Sequence, residues 1–226
     1  MRAVEELLGS EVRLRGVLSG PQLAEAPRGR ALQEAMVARG LTHELVSERE
    51  FASAAATESP QGVLAIGEIP AHSLRDLGGC STLTLLVLDG VQDPGNVGTI
   101  VRTAAALGAT ATVALPGTVD LWNAKVVRSG MGAHFRHPCM HASLDELASF
   151  LGDESIPLWG ADARGTPVGG KKRPLRLALA VGNEGAGLSD RLRAVATELV
   201  ALPIEGTVES LNVAVATGIL LHELRG

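Results

Sequence analysis

Short, fully apolar runs alternate with longer stretches of small or amphipathic residues through the second part of the chain. The apolar runs predict strands at 83–88, 110–115, 156–160, 175–181 and 198–202. The stretches between and after them predict helices at 96–107, 121–129, 143–151, 188–196 and 210–224. Such alternation is typical of a mostly parallel sheet, whose ligands bind at the carboxyl ends of the strands. Glycine- or proline-rich segments at 89–96, 182–188 and 203–209 follow three of these strands.

The first part of the chain has shorter elements and predicts a separate small α/β unit. The pattern indicates helices at 2–9 and 29–39 and strands at 12–18, 43–47 and 62–69. The segment 71–81 contains paired glycines and mixed polarity, which is typical of a linker. We therefore predict a small domain over 1–70, a linker over 71–81 and a larger domain over 82–226.

Composition narrows the functional classes. The 226 residues include 20 Lys and Arg against 25 Asp and Glu, a net charge of −5, which argues against a nucleic-acid binder held by overall charge. The net charge does not exclude a local basic surface. Aromatic residues make up 2%, which argues against base stacking as the main contact with RNA. Two cysteines without a CxxC spacing, no secretory signal and no membrane-length apolar run predict a cytoplasmic protein with reduced thiols.

Two glycine-rich segments resemble nucleotide-binding loops without matching them. "GNEGAG" has the wrong glycine spacing for a dinucleotide fold. "GTPVGGKK" has Lys172 where a P-loop needs Ser or Thr, and Arg173-Pro174 blocks the helix that should follow. This segment is then a solvated loop or part of a phosphate-binding patch. That patch would comprise Arg164, Lys171, Lys172, Arg173 and Arg176.

Three motifs carry the candidate chemistry. In "DPGNVGTIVRTAAALGA", Asn96 is predicted as a helix N-cap, and Arg102 lies off the apolar helix face. In "GNEGAGLS", Glu184 lies near the N-terminus of a predicted helix, where a carboxylate is favoured. The glycines around it indicate that another segment packs closely against the backbone. In "LPIEGTVESLNVAVATG", Ser210 is a plausible N-cap, and Asn212, placed one turn into an apolar helix, needs a partner. Taken singly, each motif also fits an ordinary structural role.

In this order and at these spacings, the three segments resemble the three motifs of the SpoU (TrmH-like) 2′-O-ribose RNA methyltransferases of the SPOUT superfamily. "SPQGVLAI", 59–66, resembles the last strand of the ribosomal-protein-like RNA-binding domain that often precedes them. The resemblance implies an α/β trefoil-knot domain after a small α/β RNA-binding domain. It further implies a homodimer, S-adenosylmethionine as the methyl donor and no metal. The apolar helix at 210–224 fits a dimer interface.

The resemblance also assigns residues. Positions matching the family's catalytic residues are Asn96, Arg102, Glu184, Ser210 and Asn212. Positions matching or close to its cofactor contacts are Gly182, Leu202, Ile204, Gly206 and Leu211. In the family, Arg102 corresponds to a residue assigned to the RNA phosphate and the 2′-hydroxyl, even as a base. A guanidinium with a pKa above about 12 is a poor base at neutral pH. We favour a forked phosphate contact that also stabilises the developing alkoxide.

The predicted function is methyl transfer from S-adenosylmethionine to a ribose 2′-hydroxyl, most simply in ribosomal RNA. The family's tRNA enzymes commonly carry terminal helical extensions, whereas this sequence ends directly after the last predicted helix. Two alternatives stay open: a tRNA 2′-O-methyltransferase of the same family, and a non-catalytic RNA-binding protein on the same fold.

Overall fold

The computed structural model describes residues 1–55, 60–206 and 210–225. The chain divides into two compact units, Met1–Pro70 and Ala71–Gly226. Residues 71–81, predicted as a linker, are grouped with the second unit. They contain a 3₁₀ turn over Leu74–Leu77, and the Leu77 side chain is buried in that unit's core.

The first unit is a small α/β structure with a three-stranded sheet in the order β2-β1-β3. Strand β1 runs parallel to β2 and antiparallel to β3. Its elements, in chain order, are α1 (Arg2–Leu8), β1 (Leu14–Ser19), α2 (Pro27–Ala38), β2 (Glu44–Leu45), α3 (Glu48–Ala54) and β3 (Val63–Gly67). Leu23, Leu32 and Met36 form the centre of its core, together with Val17 from the sheet.

The second unit contains a six-stranded sheet in the order β6-β5-β4-β8-β7-β9, and each strand pair within it is parallel. Its elements are β4 (Leu83–Asp89), α4 (Pro94–Ala106), β5 (Ala111–Ala114), α5 (Ala124–Ser129), β6 (Cys139–His141), α6 (Leu144–Asp153), β7 (Leu158–Pro167), β8 (Arg176–Gly182), α7 (Asp190–Val195), β9 (Glu198–Ala201) and α8 (Val213–Glu223). The predicted α/β class with a parallel sheet is confirmed. The trefoil knot stays a prediction.

Both faces of the larger sheet are buried, which explains why its strands are apolar throughout rather than alternating. Along β4, Leu86 and Leu88 face one core cluster, while Leu85 and Val87 face the other. The first cluster includes side chains of α4 and α8, and the second includes side chains of α6 and α7. None of the helices in the described ranges is both long enough and apolar enough to cross a bilayer.

The sheet order brings the first two motifs together. Strands β4 and β8 are neighbours in register, with Asp89 paired to Gly182, so both motifs begin at the same edge of the sheet. Strand β9 lies two positions away from β8. The third motif reaches the same edge because α8, which follows it, packs against α4.

Candidate active site

The N-cap of helix α4 lies three residues earlier in the first motif than expected. The N-cap is Asp93, whose side chain accepts a hydrogen bond from the Asn96 backbone N–H at 2.7 Å, and Pro94 takes the first helical position. The prediction of Asn96 as the N-cap was wrong. An acidic residue directly before proline is itself an N-terminal signature and could have identified Asp93. Because Asp93 caps the helix, the Asn96 side chain can bond elsewhere.

Glu184 joins the second motif to the first. Its carboxylate accepts hydrogen bonds from the Asn96 side-chain amide at 3.1 Å and from the backbone N–H groups of Asp93 and Gln92 at 3.2 and 3.3 Å. Partial burial would raise the pKa of Glu184, but these hydrogen bonds outweigh it and hold the pKa below its usual value. Glu184 is therefore ionised at neutral pH.

Asn212 joins the third motif to the first. It is the N-cap of α8 and accepts from the backbone N–H groups of Ala214 and Val215, while its own amide donates to Asn96 Oδ1 at 2.9 Å. Two expectations were therefore wrong: Ser210 is not the cap, and Asn212 stands at the start of the helix rather than within it. Asn96 is the partner that Asn212 was expected to need.

These bonds form a continuous chain, Glu184–Asn96–Asn212, across three segments of the sequence. The residues are up to 116 positions apart, so only the fold brings them together. We call this chain the polar triad. Because Asn96 uses its oxygen for Asn212 and one N–H for Glu184, its orientation is fixed, and its amide nitrogen has a second N–H.

The loop after β8 folds back on itself. Asn183 and Gly187 exchange two backbone hydrogen bonds, each at 2.9 Å. Gly187 adopts the left-handed region, with φ of 72°. A Cβ on Gly182 would overlap the backbone of Gly187 and Leu188, so glycine is required there for the two arms of the loop to meet.

Two further residues anchor this loop to the end of β4. The Asn183 side chain donates to the Gly90 carbonyl at 2.9 Å. Asp89, largely buried, accepts from the Ser189 backbone N–H at 2.6 Å, at the start of α7. Ser189 is the N-cap of α7, and its side chain accepts a hydrogen bond from the Leu192 backbone N–H. Neither Asp89 nor Asn183 was assigned a role from the sequence, although both lie at the carboxyl ends of strands, where ligand sites form.

A cavity of about 530 Å³ opens beside this loop. Four of the five predicted cofactor positions line it, Gly182, Leu202, Ile204 and Leu211, and so do Glu184 and Ser210. Gly206 is exposed and does not contribute to the lining. Asp162, Arg164 and Arg193 also line the cavity and were not predicted to do so.

A second cavity, of about 540 Å³, lies between α6 and the start of β7. It is lined mainly by aliphatic side chains, including Leu147, Leu151 and Ile156, and by no residue of the three motifs. Because binding sites combine apolar walls with convergent polar groups, the cavity beside the loop after β8 is the better candidate.

Arg102 lies on the exposed face of α4. It lies six positions after Asn96, which places it about 9 Å further along the helix axis and on a different side of the helix. It does not line the cavity, and no hydrogen bond or ion pair joins it to another residue in the described ranges. The structure thus brings together four of the five predicted catalytic residues and leaves Arg102 facing solvent.

The hypothesis of a five-residue basic patch is not supported, because four of its members make intramolecular contacts. Arg164 pairs with Asp162 at 3.5 Å. Lys171 pairs with Glu198. Arg173 donates to the Leu83 carbonyl at 3.2 Å, and Arg176 pairs with Glu154 at 2.6 Å.

Among the residues that the structure describes, no group of three or more His, Cys, Asp or Glu side chains is arranged to hold a metal ion.

Comparison with known sequences decides the family. A profile described as the SpoU rRNA Methylase family matches residues 84–222, more than half of the chain. The chain belongs to this family. A second profile, described as RNA 2′-O ribose methyltransferase substrate binding, matches residues 1–72. The family predicted from the three motifs is confirmed.

Individual relatives of this SpoU-family chain agree with the profiles. It is 38% identical over 188 residues to the 23S rRNA (guanosine(2553)-2′-O)-methyltransferase RlmP of Bacillus subtilis, covering 83% of this chain and 74% of that protein. The AdoMet-bound rRNA methyltransferase from Sinorhizobium meliloti superposes with a TM-score of 0.85 at 30% identity, covering 100% and 84% of the two chains. The AdoMet complex of AviRb from Streptomyces viridochromogenes gives 0.86 at 26% identity, covering 99% and 86%.

Proposed function

We propose that this chain transfers the methyl group of S-adenosylmethionine to a ribose 2′-hydroxyl of ribosomal RNA. The observation that carries the proposal is the polar triad, which joins all three motifs beside the cavity lined by Gly182. Relatives named as 23S rRNA 2′-O-methyltransferases, with 35–38% identity, support the reaction and the substrate. Two similar solved structures are described as bound to AdoMet, which supports the donor.

The cavity suits such a donor in size and in lining. Its volume of about 530 Å³ is in the range of small-molecule sites. Leu202, Leu211 and Leu220 provide apolar walls, and three glycines, Gly182, Gly185 and Gly187, also line the cavity. We assign the donor contacts to Gly182, Leu202, Ile204 and Leu211, with Gly206 nearby in sequence. When bound, S-adenosylmethionine supplies an electrophilic methyl group on a sulfonium.

The protein's contribution is then positioning and control of the hydroxyl proton. Asn96 is assigned to hold the ribose hydroxyl, because its remaining N–H is oriented by Glu184 and Asn212. Ionised Glu184 acts through Asn96 rather than on the substrate. Exposed Ser210 lines the cavity and is assigned to the ribose or the adjacent phosphate.

Arg102 is assigned to an RNA phosphate, with its guanidinium stabilising the charge that develops on the ribose oxygen. Its exposure suits contact with a large substrate. The Arg102→Lys variant keeps the charge but loses the forked geometry. We expect it to lose most methyl transfer while binding S-adenosylmethionine as the wild type does. Near-normal turnover by this variant would refute the role.

The proposal extends to the organisation of the enzyme. We assign residues 1–70 to RNA binding, on the basis of the substrate-binding profile that matches residues 1–72. Ultraviolet cross-linking of the full chain to 23S rRNA should yield peptides from 1–70; their absence would contradict this assignment. We also propose the trefoil knot in the second unit and action in the cytoplasm, where ribosomal RNA is found.

A homodimer is supported by two apolar side chains one turn apart on α8, Val215 and Ile219, which are 52% and 39% exposed. Apolar neighbours on a helix surface indicate an interface. Sedimentation velocity should show a dimer for the wild type and a monomer for Ile219→Glu. A monomeric wild type would contradict the proposal.

The function is tested with the purified full chain and S-adenosylmethionine labelled on its methyl group. Label should enter deproteinised 23S rRNA at one nucleotide, and that position should become resistant to alkaline cleavage because its 2′-oxygen is blocked. Transfer to tRNA instead would favour the tRNA enzyme of the same family. Binding of RNA without transfer to either RNA would favour the non-catalytic protein.

A further inference from the structure

An ion pair outside the three motifs lies against the cavity. The Asp162 carboxylate on β7 contacts the Arg193 guanidinium on α7, and both residues line the cavity. The Asp162 side chain is only 4% exposed, and that of Arg193 is 22% exposed. A carboxylate buried to this extent needs a partner, so the pair is a fixed part of the structure.

Asp162 occupies an irregular part of its strand. The pairing of β7 with β9 shifts register between Ala161 and Thr166, so the residues between them leave the regular ladder beside the cavity. Asp162 also accepts a hydrogen bond from the Arg164 backbone N–H at 2.8 Å, which stabilises this turn. The turn thereby directs the carboxylate towards α7.

Arg193 also contacts the loop after β8. Its Nε donates to the Leu188 carbonyl at 3.1 Å. Its guanidinium covers Gly187 so closely that a Cβ there would lie 3.3 Å from Nη2. Gly187 in turn supports Gly182, whose arm of the loop lines the cavity. The sequence of contacts runs from Asp162 through Arg193 and Gly187 to Gly182.

We infer that Asp162 and Arg193 are positioning residues, which hold the loop after β8 in the shape that binds S-adenosylmethionine. This inference rests on the proposed function. The pair touches the backbone of the loop rather than the polar triad, so its loss should weaken donor binding and leave the chemistry of the bound complex intact.

The experiment compares the full-length variants Asp162→Asn and Arg193→Lys with Arg191→Gln. Arg191 is a matched control, because it lies on the same helix and forms an ion pair with Asp145 that is exposed on both sides. Calorimetry measures the Kd of S-adenosylmethionine and of S-adenosylhomocysteine, and hydrogen exchange measures protection of the amides at 185–188. If the loop loses about one stabilising hydrogen bond, the Kd should rise about tenfold.

We expect Asp162→Asn and Arg193→Lys to raise the Kd of both ligands about tenfold and to speed exchange at 185–188, with kcat at saturating donor within about twofold of wild type. Arg191→Gln should match the wild type. An unchanged Kd would overturn the inference, and so would an equal loss in Arg191→Gln. A loss confined to the sulfonium ligand would also overturn it, since that would indicate direct charge attraction.

The experiment distinguishes failure of this inference from failure of the proposed function. If Asp162→Asn does not fold, Arg193→Lys carries the test, because it retains a positive charge beside Asp162. If the wild type does not bind S-adenosylmethionine, the proposed function fails. Hydrogen exchange at 185–188 then still decides whether the ion pair orders the loop.

Discussion

Replacing Gly182 with alanine tests the packing on which the cavity depends. The added Cβ would overlap the backbone at Gly187 and Leu188, and a backbone cannot move aside as a flexible side chain can. The two arms of the loop would have to separate, which breaks the paired hydrogen bonds between Asn183 and Gly187 at 2.9 Å. We expect Gly182→Ala to lose both stability and donor binding.

The magnitude follows from these contacts. Two backbone hydrogen bonds contribute about 1 kcal/mol each to the free energy of unfolding, and overpacking of a well-filled site costs about 1–3 kcal/mol. The sum is a loss of roughly 3–5 kcal/mol for Gly182→Ala. Gly185→Ala is the matched control in the same loop. The nearest atom to its added Cβ is 3.7 Å away, which is ordinary contact, so we expect a change within about 0.5 kcal/mol.

The chain offers a specific probe for this measurement. Its only two tryptophans, Trp122 and Trp159, lie in the second unit, and it has no tyrosine. Tryptophan fluorescence during urea unfolding therefore reports on the second unit without a contribution from the first. Equal urea midpoints for Gly182→Ala and wild type would refute the packing argument. A lowered midpoint with unchanged S-adenosylmethionine affinity would refute the link between this loop and donor binding.

Three further predictions use the same unit. Asp93→Ala removes the side-chain cap of α4 and should lower the free energy of unfolding by about 1 kcal/mol, whereas Asp93→Asn should retain most of it; equal losses would contradict capping. Burial lowers the pKa of His134 and of His137 from 6.5 to about 4, so the unfolded chain takes up protons first as the pH falls. Stability should decline between pH 6.5 and 4 by an amount on the order of 3 kcal/mol per histidine, and a urea midpoint that is the same at pH 7 and pH 5 would argue against it. Glu184→Gln should bind S-adenosylmethionine normally but reduce methyl transfer about tenfold, because its amide cannot accept from all three donors; unchanged turnover would remove any need for the charge.

The strands of the second unit were predictable because burial on both faces makes them apolar throughout. Strand β6 was missed: it spans only Cys139–His141 and pairs at the edge of the sheet, too short for a periodic pattern. Helix α3 was missed although its start carries a recognisable signal. Ser47 and Glu50 form a capping box, a serine followed three residues later by glutamate.

The resemblance named candidate residues, but their mutual geometry was not predictable from the sequence. The motifs identified Asn96, Glu184 and Asn212 by resemblance, whereas their mutual hydrogen bonds depend on strand order and on the packing of α8 against α4. The pair of Asp162 and Arg193 has no sequence signature, because 31 residues separate the partners and a register shift in β7 brings them together. Local patterns cannot report such contacts.

The contacts of the site divide into an internal set and an exposed set. The loop after β8 is held by Asn183, Asp89 and Arg193, all bonded within the protein. Arg102, in contrast, lies on an exposed surface and makes no hydrogen bond or ion pair within the described residues. A pocket held by internal bonds needs no ordering by a second ligand, whereas an exposed guanidinium without a partner among the described residues becomes ordered when a phosphate binds. We therefore expect S-adenosylmethionine to bind with the same affinity whether or not RNA is present. RNA should act on the rate of transfer instead, because the proposed contact of Arg102 forms only with RNA.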